Sequence, residues 1–423
     1  MRILMGAQDC GFGPASVLVA VSRQLSGHQR VFAGDGIAAA FARRNAGAFD
    51  AVHELTEPRG NTSALLDHLL AGSDHVVSVM DADLVLHAVV ARRPVILVDA
   101  LFSFWQHRIP LARLHELCAT LPRDSFPAAR RHLSSLSPHE YVLAAHLLAD
   151  HSVVQNFPGV SRRITELTGT GTGTGTGRTM LLTGPLVDLD GLNAAAAAAP
   201  ATGEPDYDLL INTGGFKNFL LDFETNNAYL RLIDRWLPDL LADWPRFTRI
   251  LVCGGPYTGP RAGRHRASGR LVDRRLLPQR ELLRHMAGTP HSLLAPGLSA
   301  LHEATLLGRL PLALHEQHYA HTFTIRNLAG TLFGRLAGRF ADVLPGHPLP
   351  EEDHAGTAAL MAVAGRVLEN DDLYARFRST FNHRIEHYLG LTQEQRCAGA
   401  AELRHLLDGP PAPSAIASLL TAP

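Results

Sequence analysis

The sequence predicts an α/β protein of two doubly wound domains followed by a helical tail, and three observations carry that expectation. Short apolar runs alternate with stretches of helical periodicity, the alternation restarts after a break near the middle, and glycine turns follow several of the apolar runs. A chain of 423 residues with 46% hydrophobic residues is long enough to build two or three cores of ordinary size.

Taking the elements in order, Ile3–Met5, Val31–Ala33, Val76–Met80, Val95–Val98 and Val153–Gln155 read as buried strands bounded by Gly, Pro or Asp. Between them Val17–Leu25, Ile37–Arg44, Ala64–Leu70 and Leu84–Ala91 carry apolar residues at three-to-four spacing, as helices do. Strands that alternate with helices imply right-handed crossovers and a parallel sheet covered on both faces. The Thr168–Gly177 repeat and the small-residue stretch from Ala194 to Pro205 cannot bury enough apolar area to fold alone and read as loop or linker. Leu209–Asn212, the helix through Tyr229–Leu241 and Ile250–Cys253 then start a second domain. The expected division is 1–185, a linker at 186–205, a second domain at 206–345 and a helical tail at 346–423.

Charge and cysteine content narrow the function. Lys plus Arg is 39 against 40 Asp plus Glu, so a net charge of -1 offers no field for a nucleic-acid backbone or an anionic membrane. No uncharged run reaches the ~18 residues of a membrane span, and no leader-like apolar stretch opens the sequence, which leads to the expectation of a cytoplasmic protein. Cys10, Cys118, Cys253 and Cys397 are too far apart in sequence for a disulfide framework or a CxxC metal site. Lys217 is the sole lysine.

Ligands of open parallel sheets bind beyond the carboxyl ends of the strands, where glycines admit a close backbone approach and helix N-termini present unpaired N–H groups. Four segments have that form. Gly11-Phe12-Gly13 follows the first strand, although Ser16 stands where a dinucleotide-binding motif has its third glycine, so a tight turn is the competing reading. Gly214-Gly215, with Lys217 two residues on, is suited to phosphate. Gly254-Gly255 reads as another strand-end turn. The fourth, Gly297-Leu298-Ser299, is a strand-to-helix turn that would receive a diphosphate, and Glu303 lies one helical turn later on the same face, able to accept two ribose hydroxyls; an exposed first-turn glutamate is the alternative. His315, His318 and His321 recur every three residues, but no metal site is expected from them.

Pro278-Gln279 with Leu283 and His285, then Gly297, Glu303 and Gly308, resemble the two-domain GT-B glycosyltransferases that use nucleotide-sugar donors, in the inverting branch containing the plant and macrolide glycosyltransferases and the lipid-linked N-acetylglucosaminyl transferase. The resemblance covers residues 276–311 well and the two-domain layout loosely. It implies two Rossmann-like domains facing across a cleft, with the diphosphate of a UDP-sugar on Gly297–Ser299 and its ribose on Glu303. It implies a small-molecule acceptor, no bound cofactor, and a role such as antibiotic tailoring. Retaining relatives carry a second glutamate eight positions after the first, where Pro311 stands here, so inversion is implied.

The sequence also departs from the family. Ala295 replaces a phosphate-contacting His, Glu316-Gln317 fall closer to Pro311 than the sugar-gripping pair usually does, and Pro14 stands where the first loop's catalytic His is expected. The base is then expected to be Asp9 or Asp99, the latter acting directly or by orienting a group such as His107. Phe104, with Phe102 and Trp105, is expected to offer an aromatic surface to the acceptor or to pack beneath a loop. A UDP-sugar epimerase of the same fold and a non-catalytic GT-B-like auxiliary protein are the competing functions.

Overall fold

In the computed structural model, which describes residues 1–56, 63–169, 179–198, 205–215, 228–255, 262–267 and 269–421, the apolar runs of the first half pair as parallel strands. The chain folds as two units, Met1–Asp188 with Leu406–Pro423, and Leu189–His405.

The first unit runs β1 (Arg2–Ala7), α1 (Phe12–Gln24), β2 (Gln29–Gly34), α2 (Gly36–Arg44), β3 (Ala51–Glu54), α3 (Ala64–Ala71), β4 (His75–Val79), α4 (Ala82–Val90) and β5 (Val95–Asp99). Three helices follow, α5 (Leu111–Ala119), α6 (Phe126–His132) and α7 (Pro138–Leu148), before β6 (His151–Gln155), α8 (Val160–Thr168) and β7 (Thr179–Thr183). The sheet order is β3-β2-β1-β4-β5-β6-β7, and every pairing is parallel. Leu4 pairs with Val31 on one side and Val76 on the other, and all three are buried, because helices cover both faces of the sheet.

The second unit opens with α9 (Leu189–Ala198), then β8 (Leu209–Asn212), α10 (Ala228–Asp243), β9 (Arg249–Cys253), β10 (Gly263–Ala267), β11 (Arg270–Arg275), α11 (Gln279–Gly288), β12 (His291–Leu294), α12 (Leu298–Leu306) and β13 (Leu312–Ala313). Helices α13 (Tyr319–Asn327), α14 (Leu332–Leu336), α15 (Phe340–Val343), α16 (Asp353–Glu369), α17 (Asp371–Gly390) and α18 (Gln393–Leu407) complete it, and α19 (Ala412–Thr421) returns to the first unit. Its sheet order is β10-β11-β9-β8-β12-β13, parallel except for the β10–β11 edge hairpin. Because the chain winds outward from β8 through β9 and then returns to β12 on the other side, the switch point lies between β8 and β12.

Two boundaries differ from the expected division. Within the stretch expected as a linker, α9 has Leu192 and Ala195 buried and packs against α11, so this helix is part of the second unit, while residues up to Asp188 belong to the first. The segment expected as a tail contributes to the core: Val363, Phe377, Phe381 and Tyr388 of α16 and α17 lie in one cluster with Trp236 of α10, all nearly inaccessible. The last residues pack on the first sheet, with Gly184 N–H donating to the Pro410 carbonyl at 2.7 Å and the Asn156 amide to the Asp408 carbonyl at 2.5 Å.

Candidate functional site

The ends of β8, β9, β12 and β13 are tied together by their own backbones. Thr213 N–H donates to the Cys253 carbonyl at 3.0 Å, Gly255 N–H to the Gly214 carbonyl at 2.6 Å, and Ala295 N–H to the Asn212 carbonyl at 2.8 Å. The Asn212 side chain accepts the Gly214 N–H at 2.9 Å. Gly254 has φ +83°, and a Cβ there would lie 2.5 Å from the Gly214 carbonyl oxygen, so only glycine permits the two strand ends to meet this closely. From β13 the Gln317 amide reaches the Thr213 carbonyl at 2.5 Å. Gly215 closes the described part of this turn; Lys217 lies outside the described residues.

Beyond β12 the chain turns through Gly297 into α12. Gly297 is the helix N-cap and no side chain caps the first turn, so the N–H groups that begin at Leu298 and Ser299 are available to an anion. Glu303, buried on the same helix, accepts the Gln279 side-chain amide at 3.0 Å. The two parts of the sequence that carried the resemblance, Pro278-Gln279 and Gly297–Glu303, therefore meet in space. His321 of α13 faces the same turn: an added Cβ on Gly297 would lie 3.8 Å from its Nε2.

Glu316 has a different task from the one expected of it. It is buried and accepts the Phe340 N–H at 2.9 Å, and burial pushes its carboxyl up to about 6 even though that N–H favours the anion. It holds the β13–α15 connection, and Gln317 is the member of the pair that touches the strand-end cluster. The three regularly spaced histidines do not converge. His315 packs among Phe340, Phe377 and Phe381, with ring centroids 4.7–5.1 Å apart, while the His318 and His321 rings lie 3.8 Å apart, tilted by 36°.

The first unit changes the assignment of the base. Asp99 is sealed in the interior: Leu101 N–H and Trp105 Nε1–H each donate to it at 2.6 Å, and His146 Nε2 lies 2.8 Å away. His146 in turn contacts Ser152 Oγ at 3.1 Å through Nδ1. With both Asp99 and His146 side chains at 0% exposure, this Ser-His-Asp chain is internal bracing that no acceptor reaches, and Asp99 is withdrawn as a base. It does not orient His107, whose Nδ1 is 3.0 Å from the Ile109 carbonyl. Phe104 is likewise buried, edge-on to Trp105 and beside His139, so the aromatic trio packs beneath the loop after β5 instead of forming an open surface.

Asp9 lies beyond β1, partly buried, and its Oδ1 accepts the Ile37 N–H at 2.6 Å at the start of α2. Gly36, at φ +53°, makes that approach possible: a Cβ there would sit 2.2 Å from the Asp9 carboxylate. Gly11, at φ 124°, is the N-cap of α1, and Gly13 lies in its first turn with open space around it.

Among solved structures, the spinosyn rhamnosyltransferase SpnG complexed with thymidine diphosphate superimposes with a TM-score of 0.51 over 100% of both chains at 13% identity. The chain has the GT-B fold. The glycotransferase of kitacinnamycin is also matched, at 12% identity and a TM-score of 0.43 over 96% of this chain and 98% of that one. Arabidopsis thaliana UGT89C1 complexed with quercetin is matched at 13% identity and a TM-score of 0.42 over 96% and 99%. No protein-family model and no curated protein matches the chain. Within this GT-B fold the strand-end cluster of Gly214, Gly255, Gly297 and Gln317 occupies the switch point of the second sheet, where open α/β sheets bind ligands. Among the described residues no helix is long and apolar enough to cross a membrane, and all four cysteines are free thiols.

Sequence reading named His321 only as one of three regularly spaced histidines, and it did not find that residue's place against Gly297 or the structural roles of Asp99 and Glu316. His321 had one usable signal, its place shortly after β13 on the strand-end side of the sheet; the partners of Asp99 lie up to 47 residues away and left none.

Proposed function

We propose that this protein is an inverting glycosyltransferase that moves a sugar from a nucleoside diphosphate sugar, UDP- or dTDP-linked, to a small-molecule acceptor in the cytoplasm. The observation that carries the reading is the uncapped N-terminus of α12 at the switch point of the second sheet, with Glu303 one turn further along the helix and braced by Gln279. SpnG, of the same fold, is complexed with a nucleoside diphosphate.

In this reading the diphosphate lies on the first-turn N–H groups of Leu298 and Ser299. An acceptor hydroxyl attacks the anomeric carbon, the bond from that carbon to the diphosphate oxygen breaks, and the electron pair leaves with the nucleoside diphosphate. Negative charge grows on that group, where fixed N–H dipoles cost no reorganisation and lower the barrier. Glu303 is assigned the ribose hydroxyls and Lys217 the diphosphate. Asp9 is assigned the acceptor proton: it stands just beyond the carboxyl end of β1, with the Ile37 N–H on its Oδ1. Pro311, where a retaining relative has a carboxylate, supports inversion.

Asp99 being sealed and Asp9 already hydrogen-bonded favours a second reading, a non-catalytic GT-B-like partner that binds the nucleotide without turning it over. One experiment separates the two. The purified chain is titrated calorimetrically with UDP and dTDP, then incubated with UDP- and dTDP-sugars without acceptor. Binding with slow release of the nucleoside diphosphate supports a transferase, binding without release supports the auxiliary reading, and no binding sinks both.

A further inference from the structure

His321 is the feature that the site above has not used. It is 93% buried on α13, with 7% relative exposure, and its ring orientation is fixed from one side: Gln317 N–H donates to Nδ1 at 3.3 Å. A nitrogen that accepts a hydrogen bond carries no proton, so the neutral ring has its proton on Nε2. Nε2 has no hydrogen-bond partner among the described residues, and it faces Gly297, the N-cap of α12, at van der Waals distance from where a Cβ would stand. Burial, with His318 beside it, holds the imidazole well below its ordinary value, so the ring is neutral around pH 7. A buried donor aimed at a helix N-terminus that no side chain caps is arranged for an anion.

We propose that His321 is a binding residue for the diphosphate, donating Nε2–H to a phosphate oxygen seated on the N-terminus of α12. The inference rests on the proposed function. It adds a side-chain donor, delivered from the connection after β13, to a site otherwise built from backbone N–H groups. Ala295, at the end of β12, has no side chain to do this from the near side, and a Cβ at Gly297 would stand in van der Waals contact with Nε2, which places the ring against the N-cap of α12. The Gln317 contacts give the arrangement its rigidity: the side chain holds Thr213, just after β8, and the backbone holds the ring.

Two variants distinguish ligand binding from a packing role. His321→Asn keeps an acceptor near the Nδ1 position, for Gln317, and removes the Nε2 donor; His321→Gln places an amide donor near Nε2 and gives up the Nδ1 acceptor. Calorimetric titration of the full-length chain and both variants with UDP, dTDP and UMP is the test, with thermal melts as a check on folding. The expected result is a loss of about tenfold or more in UDP and dTDP affinity for His321→Asn, little change for UMP, and most of the affinity kept by His321→Gln, as loss of a hydrogen bond to a charged group implies. The proposal is overturned if His321→Asn binds UDP as the parent does, if UMP and UDP weaken equally, or if only His321→Gln is impaired. Failure of the parent chain to bind either diphosphate overturns the function itself and is read separately from the variants.

Discussion

Gln279 donates its side-chain amide to the Glu303 carboxylate at 3.0 Å, joining the first residue of α11 to the middle of α12 across 24 residues of sequence. Both side chains are buried, so the carboxylate is held in one orientation before any ligand arrives. A preset carboxylate loses little rotamer freedom when it accepts ribose hydroxyls.

Glu303→Ala should therefore weaken UDP or dTDP binding by roughly 3 kcal/mol, about a hundredfold, because charge-assisted bonds are lost and the Gln279 amide loses its carboxylate partner. Gln279→Ala should weaken it less, by roughly tenfold, through loss of orientation alone. Calorimetric titration decides; unchanged affinity in Glu303→Ala would remove the ribose assignment.

Lys217→Met should lower kcat more than it raises the donor KM. A cation on the diphosphate is worth most when charge has developed on the leaving group. A parental rate in this variant would leave the lone lysine without a role in the reaction.

Asp99→Asn should act on folding. The amide nitrogen of Asn would face either the Leu101 N–H or the Trp105 Nε1–H together with the His146 ring, in a space with no water access, at a cost of roughly 2–4 kcal/mol. Urea denaturation should show the loss, and kcat per folded molecule should stay at the parental value. A stable variant with lost turnover would restore Asp99 to the chemistry.

Asp9→Asn keeps an oxygen for the Ile37 N–H and removes the base, so transfer should fall more than tenfold while nucleotide binding and melting temperature hold. Gly36→Ala should instead destabilise the first unit, since its Cβ would overlap the Asp9 carboxylate in a left-handed backbone. Activity above a tenth in Asp9→Asn, with an acceptor of ordinary hydroxyl acidity, would exclude it as the base.

The pH dependence of stability should show Glu316. Its carboxyl is raised by burial to about 6 in the folded protein against an ordinary 4.5, so the folded state holds the extra proton between those values. The penalty is absent below pH 4.5, grows as pH rises, and is complete above pH 6, at roughly 2 kcal/mol. Glu316→Gln keeps an acceptor for the Phe340 N–H and should raise the melting temperature above pH 6 while leaving it unchanged near pH 4. His302 and His315 act in the opposite sense. Burial lowers them to about 4 and about 3, so the stability they contribute is present above pH 6.5 and is lost on acidification through that range. A melting temperature indifferent to Glu316→Gln at pH 7.5 would show that the carboxyl is not desolvated as described.

The parts of the fold that could be read from the sequence are those whose physics is local. Parallel strands buried on both faces show as plain apolar runs, which is why β1, β2, β4, β5, β8 and β9 were found within a few residues of their observed bounds. The β10–β11 hairpin was not, because an edge pair written GRHRA and RLVDRR carries charge in place of an apolar pattern. Packing between distant segments left no local trace: nothing near Ala194 announces α11, and nothing near Phe104 distinguishes an acceptor platform from a buried wedge. In the second unit, the glycine turns at the strand ends could be placed from sequence because each needs a particular residue type, whereas the contacts of Asp99, Glu316 and His321 depend on partners supplied by other elements.

The return of residues 406–423 to the first unit means that this unit is assembled from both sides of the second. A nascent chain can finish the second unit while the first still lacks the segment that meets Gly184 and Asn156. The earliest half to emerge is thus the last to be completed. A cut between residues 405 and 406 would leave the second unit whole and open the first, so limited proteolysis there would be felt at the far end of the sequence from the break.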